Sequence, residues 1–157
     1  MRFHPSHIIL SFFLILSGIL NSHAQNCNPI DTFLLIPDNQ ATTLQITIDN
    51  ILNNDLSNPG QCLLGVQLEF EHEHIGDLTI GLTSPNGDEI QLIGPHVVNF
   101  PTPFAHWNVF FTACGSPTAP DPPGFPGIWD NQAPWAAFGD YSGIYHPYQG
   151  CMESFDS

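Results

Sequence analysis

The chain has 157 residues, fifteen Asp and Glu against one Lys or Arg, and a formal net charge of −14 with its histidines neutral. So anionic a surface excludes recognition of a nucleic-acid backbone, which needs cationic side chains, and it disfavours anionic membranes.

Arg2 is the single basic residue, and it stands with His4 and His7 ahead of an apolar run from Ile8 to Leu20. That run suits the core of a secretory signal and falls short of the ~20 residues that span a bilayer. Small residues at Ser22 and Ala24 place cleavage before Gln25, so residues 1–24 read as a signal peptide. No second apolar run follows, and the expected product is secreted or at the cell surface, without membrane insertion. Removing Arg2 leaves ion pairing to His72, His74, His96, His106 and His146 alone. Carboxylates that lie together must then be solvated, protonated or bridged by a cation, for which extracellular Ca²⁺ is the candidate.

All four cysteines, Cys27, Cys62, Cys114 and Cys151, lie beyond the signal. In an oxidising compartment an even count reads as two disulfides, with three connectivities open. The organisation of the chain favours Cys27–Cys62 and Cys114–Cys151, each closing one unit and each stabilising by about 3–4 kcal/mol in the chain-entropy model. The sequence has no C-x-x-C pair, which argues against zinc.

Residues 25–60 form a lead-in with one expected half-buried strand, where Leu44, Ile46 and Ile48 alternate with polar residues. From residue 61 the alternation sharpens. Val66, Leu68 and Phe70 share one face, continued by His72 and His74, while Gln67, Glu69, Glu71 and Glu73 share the other, which must meet water. Leu78, Ile80 and Leu82 repeat the pattern. Ser84-Pro85-Asn86-Gly87 is turn chemistry, and Ile90 and Leu92 resume the alternation, so a β-hairpin is expected. Val66–Phe70 and this hairpin are expected as neighbouring antiparallel strands. Residues 94–150 hold ten of the fifteen prolines and twelve of the eighteen aromatic residues. One strand stands out there, Trp107–Phe111; the rest reads as long loops pinned by Cys114–Cys151. So many large rings argue against disorder and for a loop core of their own. Helical periodicity is absent, and the fold class is all-β, a jelly-roll-like β-sandwich.

The string from Val66 through His72-Glu-His74-Ile-Gly76-Asp77-Leu78 to Ser84-Pro85-Asn-Gly87 resembles the signature of the P domain, or P/Homo B domain, of subtilisin-like proprotein convertases. In that family a strand ends in a His, a Gly-Asp-Leu turn follows, and a hairpin carries Ser-Pro-x-Gly at its tip. The resemblance assigns His72, Gly76, Asp77, Leu78, Ser84, Pro85 and Gly87 to those places, with Glu73 and His74 replacing a frequent Thr-Tyr pair. A looser likeness through Trp107–Cys114, Trp129-Asp-Asn131 and Ser142–Phe155 is similar to P domains of surface and secreted proteins in bacteria with type IX secretion. It implies a P/Homo B-like domain over 61–157. Its closing strands lie beyond Ser157, as though the chain were a fragment of a longer protein. The implied roles are stabilisation of a neighbouring domain, adhesion or protein interaction, with a neighbouring domain, an extracellular protein or a glycan as partner. An accessory part of a secreted serine endopeptidase is the alternative.

No serine lies in a nucleophile elbow or a subtilisin-like Gly-Thr-Ser setting, so no catalytic residues are assigned. His72 and Asp77 read as partners that fix the turn, Asp77 accepting backbone N–H bonds and the His72 ring donating one. His72 and His74 sit two apart on one face, but a transition-metal site would need a third ligand from His96, His106 or His146. No cofactor is required. A structural calcium would draw on Asp77, Asp88, Asp121, Asp130 or Asp140, which stand in turns where backbone carbonyls are also available. A sugar platform of Trp107, Trp129, Trp135, Tyr145 or Tyr148 competes with the same rings forming the loop core, and the second reading is favoured.

Overall fold

The structure is a computed structural model, and it describes residues 34–37, 39–47, 62–94, 101–122 and 126–156. By packing the chain divides into two units, Met1–Leu52 and Asn53–Ser157. The signal segment, Cys27, Ile48 and His96 lie outside the described residues. In the first unit, residues 41–47 form no strand, and Leu44 and Ile46 are about half exposed. The expected strand there is therefore not found over its described part. Alternation supplies a face, but a strand also needs a partner edge for its backbone.

The second unit is all-β. Its described residues form six strands, β1 (Gly65–Glu71), β2 (Ile80–Thr83), β3 (Glu89–Ile93), β4 (His106–Thr112), β5 (Asp140–Tyr141) and β6 (Ile144–Tyr145), with short 3-10 turns at Ile75–Asp77 and Met152–Asp156. β1 and β4 pair antiparallel along their whole length, from Gly65↔Thr112 to Glu71↔His106. β5 and β6 run parallel along the other edge of β4 with one continuous register, His106↔Asp140 and Phe110↔Ile144. They are two halves of one strand, interrupted at Ser142-Gly143. A side chain at Gly143 would meet the Tyr145 ring and the Asp121 backbone nitrogen, at 2.5 and 2.7 Å.

The hairpin forms as the alternation predicts. β2 and β3 pair antiparallel up to Thr83↔Glu89. The tip is closed by Gly87 N–H donating to Ser84 O at 3.0 Å, with Gly87 at φ +94°, a conformation that glycine adopts without Cβ strain. The hairpin is, however, a separate two-stranded sheet. β1 is not its neighbour: β1 pairs with β4, and the 72–79 segment turns the chain out of that sheet before the hairpin begins.

Both sheets contribute to one core. Trp107, Val109 and Phe111 from β4 pack with Ile90, Leu92 and Ile93 from β3. The proline-rich segments supply Trp129, Trp135, Tyr141 and Tyr145, all buried. Phe70 stacks on Trp107 at 5.1 Å, Trp107 on Tyr141 at 5.8 Å and Trp129 on Trp135 at 5.0 Å, while Tyr145 meets Trp129 edge-on at 5.1 Å. Residues 139–149 stitch the rest to this core. They bond β4 through Gly139 O and Gly143 O, the 119 loop through Ile144, the 127–129 segment through His146, and β3 through Tyr148 and Gln149. What reads in sequence as loop is the inner wall of the domain. The Cys114–Cys151 disulfide is present, and its closed loop stabilises by about 4 kcal/mol in the chain-entropy model.

Two turns flank β4 and β5. In Thr102–Ala105 and Ala136–Gly139 the fourth residue's N–H donates to the first residue's carbonyl, at 3.1 and 3.2 Å. The third position holds Phe104 in one and Phe138 in the other, each at φ +58° and about three-quarters exposed. That position normally takes glycine, and a bulky residue there is strained by about 1–2 kcal/mol. The two rings stack at 5.1 Å, which offsets part of the cost. Replacing Phe138 by Gly should therefore leave the protein about 1 kcal/mol more stable than replacing it by Ala, since both lose the stack and only Gly relieves the backbone. Urea denaturation of the two variants measures this. An Ala variant that matches or exceeds the Gly variant would contradict the strain.

Candidate functional site

The turn from His72 to Leu78 is held by side chains from two distant segments. β1 pairing ends at Glu71, and the next residues leave the sheet in a 3-10 turn closed by Asp77 N–H to His74 O at 2.9 Å and Leu78 N–H to Ile75 O at 3.2 Å. Ile75, Gly76 and Leu78 are buried, while Asp77 is exposed. A buried turn must place its backbone polar groups on partners, and two side chains from the second half of the sequence provide them.

Thr102 is fully buried. Its hydroxyl donates to His72 O at 3.0 Å and accepts Ile75 N–H at 3.2 Å, and its own N–H donates to Glu73 O at 2.7 Å. Asn131, also buried, uses its amide nitrogen to donate to Ile75 O at 2.9 Å and Leu78 O at 3.2 Å, while its amide oxygen accepts the indole N–H of Trp129. The His72 ring Nδ1 lies 2.9 Å from His74 O and 3.2 Å from His74 N, so it meets the backbone of the same residue as donor in one tautomer and as acceptor in the other. Sequence reasoning missed Thr102 altogether and placed Asn131 only in the looser likeness. A lone Thr in a Pro-Thr-Pro string carries no signal of its own.

At the hairpin tip, the Ser84 hydroxyl accepts Asp88 N–H at 3.1 Å, and Pro85 and Gly87 are exposed. Other serines serve turns too, Ser154 Oγ donating to Cys151 O at 2.7 Å. The calcium candidates are spread over the unit. Asp77 sits in the 3-10 turn, Asp88 at the hairpin tip and Asp140 in β5, and Asp130 accepts Gln132 N–H at 2.7 Å in a local turn. Asp121 accepts Ser142 N–H at 3.2 Å. Among the described residues, the one convergence of three potential ligands is Cys114, Cys151 and Glu153, whose sulfurs are spent in the disulfide. Glu153 instead accepts Cys114 N–H and Gly115 N–H at 3.1 Å each. Its carboxyl is held below its ordinary value, first by its own backbone N–H and then by those of Gly115 and Cys114. Of the ring platform, Trp107, Trp129, Trp135 and Tyr145 are buried, and Tyr148 alone is exposed. The Tyr145 hydroxyl accepts Asp121 N–H at 2.9 Å and donates to Asp121 O; burial pushes its pKa up to about 12. Cys62 is exposed and unbridged, and its expected partner Cys27 lies outside the described residues.

Among the described residues, histidine carries the ion pairing. His106 on β4 reaches Asp140 on β5 through Nδ1 at 3.0 Å and Glu69 on β1 through Nε2 at 3.2 Å, so it ties three strands on the solvent face. The Asp140 hydrogen bond foremost, then that of Glu69, raise its pKa above the ordinary 6.5, against the opposing effect of burial.

Residues 64–116 match the family model of the proprotein convertase P-domain. The match covers about a third of the chain, running from the start of β1 through the His72–Leu78 turn, the hairpin and β4 into the turn at Cys114. No curated protein and no solved structure matches the chain. Thr102 lies within the P-domain match; Asn131 lies beyond it.

Two predictions follow from this geometry. Asn131→Ala strands two turn carbonyls and an indole N–H, and Thr102→Val strands one donor and one acceptor, so each variant should lose about 2–3 kcal/mol in denaturant melts. A loss below about 0.5 kcal/mol in both would show that the turn holds itself. For His106, the raised folded pKa means that its stabilisation is complete below the ordinary 6.5 and is lost as pH climbs through the raised value. The melting temperature should fall between about pH 6 and about pH 9 by more in the wild type than in His106→Gln, and added salt should shrink the gap. Parallel curves would remove His106 from the account.

Proposed function

We propose that the Asn53–Ser157 unit is a secreted or cell-surface, non-catalytic P/Homo B-like module that stabilises or docks on a neighbouring domain or extracellular protein. The observation that carries this reading is the P-domain match together with what its polar residues do. His72, Thr102 and Asn131 are spent on holding backbone, as a scaffold requires and as an active site does not. In convertases the P domain is an accessory to the protease. The apolar run behind Arg2 and the Cys114–Cys151 bridge support an oxidising, extracellular setting. No helix among the described residues is long and apolar enough to cross a membrane.

The test has two parts. The purified full chain should leave fluorogenic peptides uncleaved and should take up no fluorophosphonate label on any serine. Joined by a flexible linker to a subtilisin-like catalytic domain, it should raise that domain's melting temperature by several degrees. A labelled serine, or peptide turnover by the chain alone, would overturn the non-catalytic reading, and an unchanged melt in the fusion would overturn the stabilising role.

A further inference from the structure

We propose that a shallow cleft beside the aromatic core binds a neutral sugar, with Tyr148 as its stacking face. The cleft has a volume of about 320 Å³ and is lined by Pro126, Ile128, Trp129, Asp130, Gln132 and Tyr148. That is the lower end of the ~300–1,000 Å³ range of small-molecule sites, enough for one or two sugar rings of a glycan.

Three features select the ligand. The first is the ring of Tyr148. It rests against the buried Gly94 so closely that a Cβ there would lie 2.1 Å from Tyr148 Cδ1, and its backbone N–H donates to Leu92 O at 3.1 Å. One side of the ring is thus fixed on backbone while the residue remains 42% exposed. A ring held in place before binding loses little entropy on contact, and its open face suits the C–H face of a pyranose. The second feature is polar. Asp130 is held at the cleft through its Oδ1 bond to Gln132 N–H and through its carbonyl, which accepts the Trp135 indole N–H at 3.0 Å. A carboxylate and a side-chain amide within one cleft can accept and donate to neighbouring hydroxyls.

The third is charge. Arg2 is the only Lys or Arg in the sequence, and the cleft carries a carboxylate. Uronates, sialic acids and sulfated or phosphorylated sugars have no counter-charge here and meet repulsion. A hydroxyl-rich, uncharged ring remains. Exposed Ile128 and Pro126 add apolar surface to the lining. This site goes beyond the protein-contact role proposed above, and sugar binding is read without any partner protein.

The cleft includes Trp129, so indole fluorescence and saturation-transfer NMR report occupancy directly. Neutral oligosaccharides of glucose, mannose, galactose and N-acetylglucosamine should be titrated into the full chain, with sialylated and sulfated glycans alongside. At least one neutral glycan should saturate with a Kd below about 10 mM, and the anionic ones should bind at least about tenfold more weakly. Tyr148→Ala should weaken binding about tenfold or more, while Tyr148→Phe keeps it. Gln132→Ala, at an exposed position, should weaken it several-fold and covers the case in which Tyr148→Ala fails to fold. No saturable neutral glycan, equal binding of anionic ones, or binding indifferent to both Tyr148→Ala and Gln132→Ala would overturn the proposal.

Discussion

Everything in the Asn53–Ser157 unit depends on packing large aromatic rings between a four-stranded sheet and the chain that folds back over it. Ionic stabilisation is nearly closed to a sequence with one basic residue, and the described ion pairs all run through His106 on the surface. Such exposed pairs contribute little. Apolar burial has to supply the driving force, and Trp107, Trp129, Trp135, Tyr141 and Tyr145, each bringing about 150–250 Å² on general grounds, are a large part of it beside the aliphatic residues of β3 and β4.

That constraint reaches the motif turn through a single side chain. The Asn131 oxygen holds the indole N–H of Trp129, a member of the aromatic stack, and its amide nitrogen holds the carbonyls of Ile75 and Leu78. Core and turn are therefore one hydrogen-bonded assembly, and the turn's shape is inherited from the core. Thr102 completes it from the segment that leads into β4. A turn fixed in this way presents a rigid surface.

How much of this was legible follows from which interactions are local. The faces of β1 and β4, the hairpin and its Ser-Pro-Asn-Gly tip announce themselves through period-two alternation and turn residues. Cysteine count and compartment point to disulfides but leave the pairing open; the organisation of the chain favours Cys114–Cys151 because it closes the aromatic half, and that bridge is present. The parallel edge did not show. Its two halves are two residues each, split by Ser142-Gly143, and their partners lie 34 positions away, so no alternation builds up. The separation of β1 from the hairpin was equally hidden, because adjacency in sequence suggests pairing that a distant strand, β4, takes instead. Leu44 and Ile46 show the converse, a weak alternation whose described part, residues 41–47, forms no strand. Of the site, the His72–Leu78 turn was visible as a motif, but Thr102 and Asn131 act through bonds to residues 27 to 56 positions away and leave no local trace. The cleft at Tyr148 needed the structure to separate one exposed ring from four buried ones.

Native-state hydrogen exchange on the full chain tests the central claim most directly, because amides in a core wall open only with global unfolding and loop amides exchange freely. The account predicts that the amides of Ala119, Trp129, Ile144 and Tyr148 exchange in the same slow class as those of Val109 and Phe111 in β4. Fast exchange at Trp129, Ile144 and Tyr148 beside a protected β4 would contradict it, and would return the proline-rich half to the status of a loop.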